Sequence, residues 1–482
     1  MIQLKSIPLL VLAGALTLSG CRLPKRWALL PARRPLGAEF DVYAPSGSDT
    51  DSLFNEVPAA NSRIDLSEPT GEITLRRALS LALAKSPELA DFAWGVREAE
   101  AEGLQASLLP NPELETEFEN FAGSGPFRGA RSLETTIVLS QLIELGGKRA
   151  RRMELARAGG KIAGWRYEKK RLSVLTDVTL RFIAALATQK KLELAEEDLR
   201  LARAGLDAVE KELAAGKVTI VEKTKAAVEV ATGKIRVARI RRSLKIAKNR
   251  LAAGWGGDNA MFTRLLGEMD EISPVPPADA LGAHLRQNPE LAGWAAEIEQ
   301  RRAALGLARA NAVPDVSAGV GYKHARDTAG NDHALVAELS IPLPVFDRSQ
   351  GEILKARYSL KRAEAQRRAA EVKLRSEFDK AYQTLASARD EAESLRDEVL
   401  PAARSSHQAA GNSFEHGKSG YLIVLDAQRT LIKARQQYLE ALEAHRCAVT
   451  TLEGIIARPL KSPDSTPGAA KNKTGNNNVE NK

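Results

Sequence analysis

The chain has 482 residues, of which 44% are hydrophobic and only 5% aromatic, and it carries a formal net charge of +9. Lys and Arg alternate with Glu at helical spacing, as in Glu196, Glu197 and Arg200, which is typical of a solvated helix face, so the basic charge does not predict nucleic-acid binding. The six histidines show no His-Glu-x-x-His spacing, and no complete phosphate-binding loop is present. The sequence therefore predicts no enzyme active site, no metal site and no cofactor.

Residues 1–20 are predicted to be a lipoprotein signal peptide, with an apolar stretch at 7–18 that is too short to span a bilayer. The sequence Leu18-Ser19-Gly20-Cys21 fits a bacterial lipobox, which predicts that a lipid is attached to Cys21. Residue 22 is Arg, and not the Asp that retains such lipoproteins at the inner membrane, so the outer membrane is favoured. After signal removal only Cys447 remains as a free thiol, which excludes an intrachain disulfide.

Residues 21–71 show no sustained periodicity and are predicted to be a lipid-anchored tether. Thr74 is a plausible N-cap for a short amphipathic helix that begins at Leu75. A second helix is predicted from Pro87 to Leu109, with the proline in the first turn, where its missing N–H costs little.

A β-hairpin is predicted over residues 113–143. Leu114, Thr116 and Phe118 alternate with polar residues, which is the period of a strand with one apolar and one polar face. A Gly-rich turn and a returning strand of the same alternation follow. The polar positions of the first strand are all acidic: Glu113, Glu115, Glu117 and Glu119.

A very long helix is predicted from Lys148 to Ala215, a stretch of 68 residues without proline. It would be roughly 100 Å long, and its apolar positions between Leu192 and Leu213 are spaced alternately by three and four residues, as in a coiled-coil seam. The sequence Gly216-Lys217-Val218-Thr219 interrupts this helix. A second helix is then predicted to return to about Gly254.

The same succession recurs later in the chain, which indicates an internal repeat. Pro289 follows Pro87 at an offset of 202 (289 − 87), and a second hairpin is predicted over 314–343. A helix from Arg348 to about Glu415 follows, in which Pro401 should cause a local kink. The turn Gly417-Lys418-Ser419-Gly420 then leads into a return helix.

The predicted repeats are residues 72–257 and 278–457, joined by a linker at 258–277. Residues 458–482 are predicted to be a disordered tail because of their Pro, Ser, Asn and Lys content. His324 and His333 lie on either side of the second hairpin turn and could meet. Two loop imidazoles are more often solvated than bound to a metal, so no site is predicted there.

No stretch after Cys21 contains 18 uncharged apolar residues, so we expect any membrane-spanning part to be a closed β-barrel, in which all backbone groups are paired. Four strands are too few for such a barrel, which needs about eight. The chain would therefore have to oligomerise, and a dimer would supply eight strands and a trimer twelve.

Several sequence motifs and predicted elements resemble the TolC-type outer-membrane efflux family over about Ile73 to Ile456. They are the lipobox, the duplicated Pro-Glu-Leu, the hairpins with their long helices, and the exits Gln141-Leu142-Ile143-Glu144-Leu145-Gly146-Gly147-Lys148-Arg149 and Ile341-Pro342-Leu343-Pro344. Within that family, Asn111-Pro112-Glu113-Leu114, Glu119-Asn120 and Leu145-Gly146-Gly147-Lys148-Arg149 are most similar to the CzcC-like branch, which serves heavy-metal exporters.

The resemblance implies an α+β fold that is mostly α, with two hairpins per chain contributing to an oligomeric transmembrane β-barrel and long helices forming a periplasmic α-barrel. It also implies a homotrimer in outer-membrane lipid that acts as the exit duct of a tripartite efflux system. Its partners would be a periplasmic adaptor protein and an inner-membrane pump of the resistance-nodulation-division (RND) type. The cargo would be heavy-metal cations. Drug efflux and type I protein secretion remain alternatives, and a periplasmic coiled-coil scaffold is the alternative of another class.

Two sets of candidate functional residues follow. The four glutamates of the first strand are expected to face the barrel lumen and to favour cations, or else only to keep the periplasmic end of the strand soluble. The two turns at 216–219 and 417–420 are expected to be the tips that dock the adaptor, a role that the resemblance implies. The alternative for the tips is simple helix termination by glycine.

A gate is the third candidate site. The segment Tyr421 to Ala427 resembles the family's tip segment, in which two acidic residues three apart line the closed aperture, but here only Asp426 is acidic and Ile423 takes the first position. In the other half of the chain, Glu222 and Lys225 take the two equivalent positions. We expect Asp426 carboxylates from three chains to repel one another and to attract cations. Lys225 or Lys223 would then form salt bridges that hold the aperture closed. The alternative is that Asp426 is an exposed residue in the second turn of its helix.

Overall fold

The computed structural model describes residues 67–327 and 330–460. The predicted signal peptide, Cys21, most of the predicted tether and the tail after residue 460 lie outside the described residues. The described helices are α1 (Leu75–Lys85), α2 (Pro87–Ser107), α3 (Lys148–Ala214), α4 (Ile220–Ala253), α5 (Ala278–Gly282), α6 (Pro289–Asn311), α7 (Gln350–Ser394), α8 (Leu400–Glu415) and α9 (Tyr421–Ile456). The described strands are β1 (Glu72–Thr74), β2 (Glu113–Glu119), β3 (Glu134–Ile143), β4 (Arg264–Leu266), β5 (Val316–Asp327) and β6 (Gly330–Ser340).

The first part of the described chain follows the sequence prediction closely. The Thr74 side chain accepts a hydrogen bond from Arg77 N at 3.3 Å and so caps α1, as expected. Pro87 stands at the start of α2. The long helix α3 ends at Ala214, one residue before its predicted end, and α4 returns to Ala253.

The seam of α3 packs against α4. Ala195, Leu199 and Ala202 are buried in a cluster with Val230 and Val237 of α4. Their spacing by three and four residues keeps them on one side of the helix, where they meet the facing helix. The coiled-coil prediction for this segment is confirmed.

The second long helix was predicted to be continuous, but the structure divides it into two helices. It consists of α7 and α8, joined by a single π-helical turn at Leu395–Val399. Pro401 lies at the beginning of α8, and its ring nitrogen cannot donate to a carbonyl of the preceding turn. A π turn is a common way to accommodate such a break in the hydrogen-bond ladder. The local distortion expected at Pro401 is therefore present in the preceding turn.

A short parallel sheet, which the sequence did not predict, anchors the main hydrophobic core. Strand β4 pairs with β1 in the register Ile73 to Leu265. Phe262, Leu265 and Met269 are buried in the same cluster as residues of α1, α3 and α4. The segment 258–277, predicted as a linker, therefore packs into the body.

The last residues of the predicted tether also contact the body. Glu68 accepts a hydrogen bond from Trp255 Nε1 at 3.1 Å and pairs with Lys85 Nζ at 3.4 Å. Trp255 is itself almost fully buried. The end of the predicted tether therefore contacts the body at Glu68.

One helix of the described chain passes a length-and-composition test for crossing a membrane. An 18-residue window within α3 meets the criterion, and half of it is buried in the protein. The expectation that no helix could qualify was too strong by this criterion. A helix in a protein core meets the same test, so this window alone is weak evidence of insertion.

Candidate conduit: the two faces of the sheet and the helix tips

The two hairpins form one antiparallel sheet in the order β2-β3-β5-β6. The register places Leu114 opposite Leu139 and Phe118 opposite Thr135, while Ile137 lies opposite Tyr322. Because alternate residues of a strand point to opposite faces, these side chains share one face. Its large apolar side chains are mostly exposed; for example, Leu335 is 90% exposed and Val320 is 69% exposed. Such an exposed set of large apolar side chains indicates contact with lipid or with another chain.

The opposite face of the sheet is acidic. The acids that the register places there include Glu113, Glu115, Glu117, Glu119, Glu134, Asp332 and Glu338. Lys323 shares this face and forms ion pairs with Glu134 and, at 3.7 Å, with Glu119. The four glutamates singled out in the sequence therefore lie on one face, opposite the apolar one.

Close packing between β3 and β5 depends on glycine. A Cβ atom added at Gly321 would lie 2.5 Å from the Ile137 carbonyl oxygen and 2.7 Å from Val138 Cγ2. Val138 is buried, although the sheet has no covering layer among the described residues. The absence of side chains at Gly319 and Gly321 therefore leaves the space that Val138 fills on the polar face.

The edges of the sheet have no strand partner among the described residues. β2 forms one edge and β6 the other. All seven residues of β2 and nearly all of β6 are exposed. Unpaired edge strands are a template for pairing with another chain.

The sheet joins the helices at a closely packed junction. Gly146 and Gly147 both adopt left-handed backbone conformations, and a Cβ at Gly146 would lie 2.9 Å from Val313 Cβ. Asp315 accepts a hydrogen bond from Leu145 N at 3.0 Å and pairs with Lys148 Nζ at 2.7 Å. The segment that connects the first hairpin to α3 is therefore held against the start of the second hairpin.

The two predicted docking tips have the same backbone motif. Lys217 N donates to Glu212 O at 2.9 Å and Gly216 N to Leu213 O at 2.9 Å, while Lys418 N and Gly417 N make the equivalent bonds to Ser413 O and Phe414 O. Both glycines have positive φ. This is the Schellman ending of a helix, so glycine termination is confirmed at both tips.

The tips lie side by side. Tyr421 is buried, contacts Phe414 ring edge to face at a centroid distance of 5.7 Å, and belongs to one cluster with Val209 and Ala226. Its hydroxyl approaches Gly205, where an added Cβ would lie 2.8 Å from the oxygen. The remaining tip residues, Lys217, Thr219, Lys418 and Gly420, are exposed, and Val218 and Ser419 are half-buried.

The three gate candidates have different surroundings. Asp426 and Lys225 are exposed. Glu222 closes a capping box with Thr219, whose backbone N–H donates to Glu222 Oε2 at 2.8 Å. Lys223 pairs with Glu210 at 3.1 Å. Within one chain, the described residues show no ion pair between Asp426 and either lysine, so a gate latch would have to form between chains.

The structure brings together one pair that the sequence treated as solvated. His324 and His333 are cross-strand partners, and their Nδ1 atoms are 3.3 Å apart. Their positions on the two sides of the turn were the signal, because a hairpin of the right register must place them opposite each other. The described residues contain no cluster of three or more His, Cys, Asp and Glu side chains that could hold a metal ion.

Comparison with known proteins identifies the class. The sequence model of the family "Outer membrane efflux protein" matches residues 78–257 and again 280–458. The chain belongs to this family and is an outer-membrane efflux channel protein. It is 34% identical to the cobalt-zinc-cadmium resistance protein CzcC of Cupriavidus metallidurans, over 81% of this chain and 91% of that protein.

Two further similarities concern CusC. The chain is 23% identical to the cation efflux system protein CusC of Escherichia coli K12, over 76% of this chain and 82% of that protein. A crystal structure of CusC, described in connection with folding and transmembrane channel formation, superposes with a TM-score of 0.67. At 19% identity it covers 86% of this chain and 99% of that one. This likeness shows the fold, which is mostly helical with few strands.

Proposed function

We propose that three copies of the chain close their four-stranded sheets into one twelve-stranded transmembrane β-barrel in the outer membrane. The observation that carries this proposal is the open sheet, with unpaired edges at β2 and β6 and an exposed apolar face. A lipid-embedded sheet cannot keep unpaired edges, and four strands are fewer than the roughly eight of the smallest barrels. The long helices would continue the barrel as an α-barrel in the periplasm.

The closed assembly has an internal pseudo-repeat in each chain. The order helix, hairpin, long helix, return helix occurs in Pro87–Ala253 and again in Pro289–Ile456. Gly147 and Ser349, which are 202 positions apart (349 − 147), both adopt left-handed backbone conformations just before a long helix. This supports the two repeats 72–257 and 278–457, and a trimer would then present six similar tips. With six tips, the channel would match an adaptor of six-fold symmetry.

We further propose that the channel is the exit duct of an RND-type tripartite system that exports heavy-metal cations. The acidic face of the sheet would line the lumen, because the apolar face must meet lipid. Carboxylates around a pore favour cations over anions. The similarity to a cobalt-zinc-cadmium resistance protein supports the same cargo. A periplasmic adaptor would bind the helix tips and connect the duct to an inner-membrane pump.

Anchoring by a lipid on Cys21 is part of the proposal, with residues 1–20 removed and the following residues acting as a tether. Mass spectrometry of the N-terminal peptide from the mature protein tests it. We expect a diacylglycerol-modified Cys21, and an unmodified Cys21 or an uncleaved N-terminus would contradict the anchor.

An export assay tests the proposed cargo. A strain lacking the chain should accumulate more cobalt, zinc and cadmium, as measured by mass spectrometry of washed cells, and the wild-type gene should restore low metal content. Unchanged metal content together with increased sensitivity to dyes and antibiotics would assign drug efflux instead. Loss of a secreted protein from the medium would assign type I secretion.

A further inference from the structure

The outer part of the second hairpin contains a pair of histidines outside the proposed conduit. His324 on β5 lies directly opposite His333 on β6. Their rings are stacked, with centroids 4.9 Å apart and an interplanar angle of 24°. The two Nδ1 atoms face each other at 3.3 Å. The backbone pairing of the hairpin thus brings the two imidazoles together without any ligand.

The separation of the two nitrogens fits a metal ion. Imidazole nitrogens lie about 2.0–2.1 Å from Zn²⁺, so two of them at a tetrahedral angle are roughly 3.3 Å apart. Imidazole is a preferred ligand of zinc, copper and nickel. We propose that His324 Nδ1 and His333 Nδ1 form a binding site for such a divalent cation, with water completing the coordination.

The surroundings define the site further. The Tyr322 hydroxyl contacts His333 Nδ1, and Tyr322 shares the face of the two histidines because it is two residues from His324 on β5. Because this hydroxyl occupies the same nitrogen, it competes with the cation. Lys323 points to the opposite face, where Glu134 and Glu119 neutralise it. Its amine therefore does not lie beside the imidazole pair.

The position sets this site apart from the proposed export path. The two histidines are on the apolar face of the sheet, three paired positions from the end of the hairpin at Asp327 and Gly330. The acidic face that would line the lumen is the other one. A cation bound here joins the two strands of the hairpin and strengthens its outer end. The inference rests on the geometry of the hairpin and does not depend on which substrate the channel exports.

Metal binding to the purified full chain tests the inference. The protein is prepared in detergent with its affinity tag removed, and ZnCl₂ or NiCl₂ alone is titrated by calorimetry. We expect one ion per chain at this site, and at least tenfold weaker binding for His324→Ala and for His333→Ala. Two variants are matched controls: His284→Ala should bind as the parent does, and Tyr322→Phe should bind at least as tightly. Equal affinity in the parent and both histidine variants would overturn the site.

A second measurement does not depend on any variant folding. X-ray absorption at the zinc edge of the native protein with one equivalent of Zn²⁺ should show two imidazole ligands. A spectrum with oxygen ligands only would overturn the proposal. Because neither measurement involves transport, failure of the site leaves the proposed export function untouched, and failure of export leaves the site untouched.

Discussion

Ser349 occupies the position before α7 that Gly147 occupies before α3. Both have positive φ, 56° for Ser349 and 69° for Gly147. A residue with a Cβ pays about 1 kcal/mol or more for the left-handed region, and glycine does not. Ser349→Gly should therefore stabilise the protein by about 1 kcal/mol, measured as a higher thermal unfolding midpoint in detergent. Gly147→Ser should lower the midpoint by a similar amount, and a lower midpoint for Ser349→Gly would contradict the argument.

Asp198 is a buried carboxyl group within the helical part of the chain. It is 4% exposed, neither oxygen has a hydrogen-bond partner among the described residues, and the nearest cation, Arg236 Nη1, is 3.8 Å away. Burial raises the pKa of Asp198 to about 6, although Arg236 and Arg435 oppose the shift. The cost of burying the charge outweighs these attractions.

The consequence for stability has a definite sign. The folded protein holds the Asp198 proton more tightly than the unfolded chain does. The contribution of Asp198 to the free energy of unfolding is therefore greatest below about pH 4, and it falls by about 2–3 kcal/mol as the pH rises from about 4 to 6. Asp198→Asn should raise the unfolding midpoint at pH 8 and flatten its dependence across this range. The exposed Asp207 provides a control, because Asp207→Asn on the same helix should change neither. A steeper dependence in Asp198→Asn would contradict the assignment.

Sequence patterns identify single residues well where the cause is local. The cap at Thr74 and the glycine ends at Gly216 and Gly417 depend only on neighbouring residues, and all three were predicted. The pairing of His324 with His333 depends on the hairpin register, and the burial of Asp198 depends on three helices meeting. The sequence places the two histidines on either side of one turn but does not fix their register, and the burial of Asp198 depends on residues that are distant in sequence.

The two helix tips allow a sharp test of adaptor docking. Large residues at Gly216 and Gly417 would strain the positive-φ turn itself, so they would not separate docking from folding. Lys217 and Lys418 follow these glycines at equivalent exposed positions. The double variant Lys217→Glu with Lys418→Glu should reduce metal resistance at least tenfold in minimum inhibitory concentration and leave the oligomer intact. The double Lys→Arg variant is the matched control, and full resistance in the Glu variant would argue against docking at the tips.

The gate proposal concerns the beginning of α9. Three Asp426 carboxylates near one axis would bind cations and narrow the aperture, so Asp426→Ala should increase conductance and weaken block by divalent cations added on the periplasmic side. Asp258→Ala, which changes an exposed carboxylate in the loop after α4, should have no effect. Identical traces for Asp426→Ala and the parent would show that Asp426 does not line the aperture.

Helix lengths and the coiled-coil seam could be predicted because their periodicity extends over dozens of residues. The β1-β4 pair could not, since it joins Ile73 to Leu265 through only three residues on each strand. Through this contact the predicted inter-repeat linker 258–277 packs against the body, which no local pattern in its sequence indicated. The π turn before Pro401 was predicted only as an unspecified kink, because proline specifies a missing hydrogen bond but not how the ladder closes around it.

At the scale of the whole molecule, the alternation of Leu114, Thr116 and Phe118 with glutamates predicted two faces, and the register bears this out. The order of strands across the sheet was not predictable, because β3 pairs with β5 over a separation of about 180 positions. The two edges of this sheet have no strand partner among the described residues. We propose that further copies of the chain supply these partners and close the sheet.

Planar-bilayer recording of the purified protein tests whether the closed sheet forms a channel lined by the acidic face. The parent should form discrete channels whose reversal potential in a KCl gradient shows cation selectivity. Replacing Glu113, Glu115, Glu117 and Glu119 with Gln should leave channels that open but should shift the reversal potential towards zero, because the fixed negative charge is lost. Absence of channels from intact oligomers, or an unchanged reversal potential in the fourfold Gln variant, would contradict a barrel lined by this acidic face.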